Sequence, residues 1–154
     1  MRQAVLYGLP PENIGYQDPS IRRNALAIGS ASPEAPHIAL YRFVRDRIGY
    51  VDHPWSMQVV QDPTRTLQML TGDCVSKSVL LAALLASIGI TSRFVVQAET
   101  PEGFSHVYVE MLQADGSWLA LDPTADGRDG RPRSEVGWTQ RLEDGGFEMS
   151  YDIF

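Results

Sequence analysis

Residues 71–89, TGDCVSKSVLLAALLASIG, carry the one cysteine of the chain and place it where a helix begins. Asp73 is suited to cap that helix, because its carboxylate can accept a hydrogen bond from an amide of the first turn. From there Val75, Val79, Leu80, Ala83, Leu84 and Ile88 recur at helical spacing until Gly89 supplies a stop. The pattern predicts a core-packing helix with Cys74 in its first turn. Backbone N–H groups in a first turn lack intrahelical partners and the helix dipole is positive there, and both favour thiolate over thiol. A lone buried cysteine is ordinarily an inert small hydrophobe, so position alone makes Cys74 a candidate nucleophile and no more.

Upstream, residues 1–31 scatter Gly8, Pro10, Pro11, Gly15 and Pro19 among irregularly spaced hydrophobics, which predicts an irregular arm with at most a short strand or turn of helix. Ser32 and Pro33 then read as a cap followed by proline at the first helical position, opening a helix with Ile38, Tyr41, Phe43, Val44 and Ile48 on its apolar face and Gly49 at its end. Asp62 and Pro63 repeat that signal and predict a short helix over 64–70. After Gly89 the period changes to two. RFVVQAE (93–99) and SHVYVEMLQ (105–113) read as strands joined by a turn over 100–104, SWLALD (117–122) as a third, and residues 147–154 as a short edge strand. Helices followed by an antiparallel sheet make an α+β domain.

A cysteine nucleophile needs a base, usually an imidazole oriented by a carboxylate or amide. His106 opens one predicted strand and Asp122 closes its neighbour, so both belong near one end of a hairpin. Strand parity decides whether they share a face, because a slip of one residue flips every side chain. A two-residue turn at Asp115-Gly116 would put them on opposite faces. A three-residue loop, Ala114-Asp115-Gly116 with Gly116 left-handed at a bulge, sets Tyr108 opposite Asp122 and brings the carboxylate diagonal to His106. The triad reading therefore predicts the three-residue loop. Tyr108 and Glu110 share that face, which a half-buried polar strand explains without a catalytic role.

The 154 residues are read as one domain: a core over about 33–124, an arm over 1–31 and a loop-rich tail over 125–154. With one cysteine there is no internal disulfide to form. His37, His53 and His106 lack ligand spacing with Cys74, so neither a metal nor another cofactor is expected. The formal charge of -6 and the absence of a Lys/Arg cluster argue against nucleic acid as a partner, Arg128, Arg131 and Arg133 reading as a solvated loop. No run approaches the ~20 apolar residues of a membrane span, and the N-terminus has no signal-peptide pattern, so no membrane partner and a cytoplasmic location are expected.

GDCVSKSVLLAALLASIGI followed by SRFVV, then SHVYVEM, then W-LALDPT, resembles the core of the transglutaminase-like superfamily of papain-like cysteine proteases and acyltransferases. The resemblance spans roughly residues 37–124, with cysteine after Gly-Asp, histidine in an aromatic-rich strand and Asp before Pro-Thr. It implies a papain-like core whose nucleophile helix packs on a small antiparallel sheet, and a Cys74, His106 and Asp122 triad. It also implies a thioester acyl-enzyme formed from a peptide or isopeptide amide of a peptide or protein substrate. The oxyanion would be met by the Cys74 N–H and by a side chain: Gln68, six residues before the cysteine, with Trp55 and Tyr50 as rivals. Hydrolysis is the expected outcome. The alternatives are acyl transfer to an amine, or an assembly subunit of a larger bacterial or phage particle, virion-associated and docked through its terminal arms.

Overall fold

Prolines open three of the four helices that lead through the cysteine: α1 (Pro19–Ser30), α2 (Pro36–Arg47) and α3 (Pro63–Met69), with α4 (Cys74–Ser87) following. A proline at the first helical position sacrifices an N–H that would have no intrahelical partner anyway. The computed structural model describes residues 16–51, 61–98, 106–124, 134–139 and 147–152. Asp18 caps α1 by accepting from the Ser20 N–H, Asp62 caps α3 by accepting from the Thr64 N–H, and Asp73 caps α4 by accepting from the Ser76 N–H, each within 2.9 Å. Two expectations need correcting. Residues 19–30 of the supposed arm form a full helix, burying Ile21 and Ala25. The second helix begins at Pro36 rather than at Pro33, because Ser32 Oγ accepts from the Glu34 N–H at 3.1 Å in a local turn instead of capping a helix.

Every residue of α4 from Cys74 to Leu85 is buried. A helix apolar on most sides must be covered on most sides. Helices α1, α2 and α3 pack on one flank and the sheet on the other. Leu80, Leu81, Leu84 and Leu85 are fully inaccessible, and each such burial stabilises the fold by roughly 2 kcal/mol. The helix closes at Gly89, left-handed at φ +83°, where the Ile90 N–H reaches back to the Leu85 carbonyl at 3.0 Å. Lys77, also fully buried, donates Nζ to the carbonyls of Ile48 at 2.7 Å and Arg45 at 3.3 Å, tying α4 to the C-terminal end of α2.

Two-residue strands β1 (Gly49–Tyr50) and β2 (Thr71–Gly72) pair in parallel, a link the sequence reading did not anticipate. The main sheet contains β3 (Ser92–Ala98), β4 (His106–Leu112), β5 (Trp118–Leu121) and β6 (Phe147–Asp152) in the antiparallel order β5-β4-β3-β6. Phe94, Val96, Val107, Val109, Met111 and Leu121 join the helical core, while Val95, Tyr108 and Ala120 cluster on the other face. The β4–β5 connection is the three-residue loop. Gln113 N–H donates to the Ser117 carbonyl at 2.8 Å, Gly116 N–H to the Gln113 carbonyl at 3.0 Å, and Gly116 lies at φ +87°. Leu112 therefore pairs with Trp118 and Val109 with Leu121, a register that sets Tyr108 against Asp122 when carried one residue further. The architecture is α+β, as the element order predicts. The expected turn over 100–104 lies outside the described residues. No helix among the described residues is long and apolar enough to cross a membrane.

Candidate active site

The sheet presents an imidazole and a carboxylate to the start of α4. Ser78 Oγ donates to the Val107 carbonyl at 3.3 Å, which registers α4 against the beginning of β4 one turn along from Cys74. His106 Nε2 then lies 2.7 Å from Asp122 Oδ2, and the Cys74 thiol is near enough to the same ring to help raise its pKa. With Nε2 committed to the carboxylate, Nδ1 is the ring nitrogen left for sulfur. All three side chains are buried, at 4% exposure for Cys74, 5% for His106 and 1% for Asp122, so their mutual charges are weakly screened.

Burial works against a charged imidazole, yet the Asp122 and Cys74 hydrogen bonds and charges outweigh it and hold the His106 pKa up at about 9. Burial likewise works against the Asp122 carboxylate, but the His106 bond and charge and two donors from Thr124 keep it below its ordinary value. Those donors are the Thr124 N–H at 3.0 Å and its hydroxyl at 2.7 Å, both on Asp122 Oδ1. Thr124 thus occupies one carboxylate oxygen and leaves Oδ2 for the imidazole. Sequence reading overlooked this role, although a threonine two residues after an aspartate is the Asx-turn spacing that could have signalled it.

The remaining neighbours of His106 come from three strands. Tyr108 stacks near it, with ring centroids 6.1 Å apart and planes inclined by 24°. Burial, then the Glu148 and Glu110 charges, pushes that phenol up. Gln97 pairs opposite His106 from β3 and donates to Glu148 of β6 at 2.8 Å. Glu110 is engaged elsewhere: it holds Arg93 at 2.8 Å, and Arg93 in turn lies 4.0 Å over the Trp118 ring.

Of the side chains considered as second oxyanion donors, Gln68 sits exposed on α3. Tyr50 is half-buried and pairs opposite Gly72, two residues before Cys74. Trp55 lies outside the described residues, as do His53, Arg128, Arg131 and Arg133. Gly72 must be small. A Cβ there would stand 2.9 Å from the Ser76 Cβ.

The family description "Transglutaminase-like superfamily" matches residues 24–123. A candidate protease from Parabacteroides distasonis superposes with a TM-score of 0.60 at 15% identity, over 71% of this chain and 24% of that one. A candidate cysteine protease from Cytophaga hutchinsonii gives a TM-score of 0.58 at 15% identity, over 96% of this chain and 55% of that one. The crystal structure of a TGase gives 0.50 at 16% identity, over 87% and 34%. The chain thus spans between about a quarter and a little over half of these proteins. No curated protein sequence matches it.

Proposed function

The chain belongs to the transglutaminase-like superfamily, and from that premise we propose that it is a cysteine-dependent hydrolase of peptide or isopeptide amides using Cys74, His106 and Asp122. The observation that carries this reading is one buried imidazole bonded to a carboxylate at 2.7 Å and standing near a buried thiol at the start of a helix. In the proposed cycle the Cys74 sulfur attacks the amide carbonyl carbon while the imidazolium of His106 holds the proton. The oxyanion is met by the Cys74 backbone N–H, free of an intrahelical partner at the first position of α4. The C–N bond breaks, His106 protonates the departing amine, and a thioester remains. Neutral His106 then takes a proton from water, the resulting hydroxide attacks the thioester carbon, and the C–S bond breaks, releasing the acid product and regenerating the Cys74 thiolate beside the His106 imidazolium. Asp122 keeps the ring tautomer that serves both halves. Comparison of Gln68→Ala, Trp55→Phe and Tyr50→Phe assigns the second oxyanion donor, which is the residue whose variant slows acylation of Cys74.

The test uses p-nitrophenyl acetate as acyl donor, with intact-mass spectrometry and nitrophenolate release. The parent is expected to form an acetyl adduct on Cys74 that water clears, and Cys74→Ala to form none. Identical release by parent and Cys74→Ala would overturn the reading. Added glycine ethyl ester distinguishes the two fates of the thioester. Acetylated amine appearing in place of acetate would replace hydrolysis by acyl transfer.

A further inference from the structure

Asp122 stands just past the last residue of β5, and the residue after it is Pro123, which has no N–H. The sheet ladder therefore does not hold the residue that must aim at His106, and its backbone is secured by other means. Ser134, from the segment after the tail's glycine-rich stretch, is fully buried and donates its hydroxyl to the Asp122 carbonyl at 2.8 Å. A serine hydroxyl has one proton, so in the Tyr41–Ser134 hydrogen bond the Tyr41 hydroxyl is the donor. Burial pushes the Tyr41 phenol up, against the opposing effects of Ser134 and Arg45, which keeps it a donor. Arg45, only 2% exposed, donates from one guanidinium nitrogen to the Ser134 carbonyl at 2.6 Å and grips Asp46 with the other two at 2.8 and 2.9 Å. It also lies 5.4 Å from the centre of the Tyr41 ring. A few residues on, the Gly137 N–H donates to the Ala120 carbonyl at 2.8 Å, so this segment runs along the outer edge of β5.

We propose that Ser134 is a positioning residue for the triad: held by Tyr41 and Arg45 of α2, it pins the Asp122 carbonyl and so fixes the aim of the Asp122 carboxylate at His106. The inference rests on the hydrolase reading above for its consequence in turnover, but the geometry it concerns is measurable without turnover. A clamp on the main chain of Asp122 complements Thr124, which holds Oδ1. Between them the residue is located at its backbone and at one carboxylate oxygen, and only Oδ2 is offered to the ring. The titratable and charged groups around the ring are Asp122, Cys74 from α4, Tyr108 on its own strand and, beyond Gln97, Glu148 of β6, and of these Asp122 and Cys74 raise its pKa against burial. Loosening Asp122 weakens the first of these.

The experiment compares the parent with Ser134→Ala and Tyr41→Phe, the latter removing one oxygen while leaving the ring packed. Ser134→Ala is expected to lower kcat about tenfold with KM unchanged, the scale of a sub-ångström misplacement. It is also expected to move the alkaline limb of kcat, and the ring titration of His106 followed by NMR, below the parent's value of about 9. Tyr41→Phe shifts both in the same direction by less, and the double variant falls short of the sum. An unmoved ring titration in both variants, with any loss of kcat matched by a lower Tm, would overturn the proposal and leave Ser134 as tail packing. A titration that moves in the variants, when the parent forms no acyl adduct on Cys74, would sustain the clamp while overturning the hydrolase. An adduct with an unmoved titration would do the reverse.

Discussion

Replacing Asp122 by Asn changes one atom and removes one charge from a residue that is 1% exposed. In the parent, burial lowers the His106 pKa, whereas the Asp122 bond and charge, with those of Cys74, raise it to about 9. Without the carboxylate charge, burial has only the thiol to oppose it, and the titration falls to the ordinary 6.5 or lower. That difference corresponds to about 3 kcal/mol of lost imidazolium stabilisation, or roughly 300-fold in the ratio of charged to neutral ring at a given pH. The tautomer shifts as well. Thr124 donates twice to Oδ1, so the Asn carbonyl oxygen stays there and its NH2 faces Nε2, which must then accept. The ring proton moves to Nδ1, where it cannot receive the thiol proton. Turnover of the acyl donor is therefore expected to drop by at least that factor, and the NMR titration of the His106 ring to drop by about two pH units or more. A ring that still titrates near 9 in Asp122→Asn would refute the electrostatic account, whatever the activity.

Gly72→Ala forces a Cβ to within 2.9 Å of the Ser76 Cβ at the entrance of α4, and a loss of about 1–3 kcal/mol is expected in thermal unfolding, with thiol labelling perturbed in the folded state. Lys77→Met keeps the packing of the stem but strips the donor from the Ile48 and Arg45 carbonyls, so the urea midpoint should fall by the equivalent of about 2–3 kcal/mol at unchanged m; an unshifted midpoint would show that removing the buried charge compensates fully. Leu70 follows α3 at φ +57° with its side chain 48% exposed, a conformation costly for leucine. Leu70→Asn should therefore raise stability by about 0.5–1 kcal/mol, read as a higher Tm, and a lower Tm would show that the leucine has a packing role.

The parts of the fold that the sequence disclosed are those in which local chemistry and packing agree. Asp73, the apolar run after it and Gly89 bound α4 because cap, core and stop are all local signals, and Asp62-Pro63 bounds α3 for the same reason. The loop at Ala114-Asp115-Gly116 was readable because alternation in both strands left one register compatible with a shared face. What escaped was local signal without periodicity, or partnership across long separations. Asp18-Pro19 carries the same signature as Asp62-Pro63, but the buried stripe of α1 is only Ile21 and Ala25 with half-buried Ile28, too sparse to stand out. The β1–β2 pair is two residues long and has no period to detect. Thr124 and Ser134 matter through hydrogen bonds, and the Ser134 partner on α2 lies 93 residues away in sequence, a contact that no local pattern encodes.

The sulfur travels on the helical layer, and the imidazole and carboxylate travel on the hairpin, with Ser78 on the Val107 carbonyl a polar stitch between them. Neither half contains a competent centre by itself. On the proposed reading, chemistry at this thiol switches on only when the two layers close, which makes the labelling rate of Cys74 a clock for that closure during refolding.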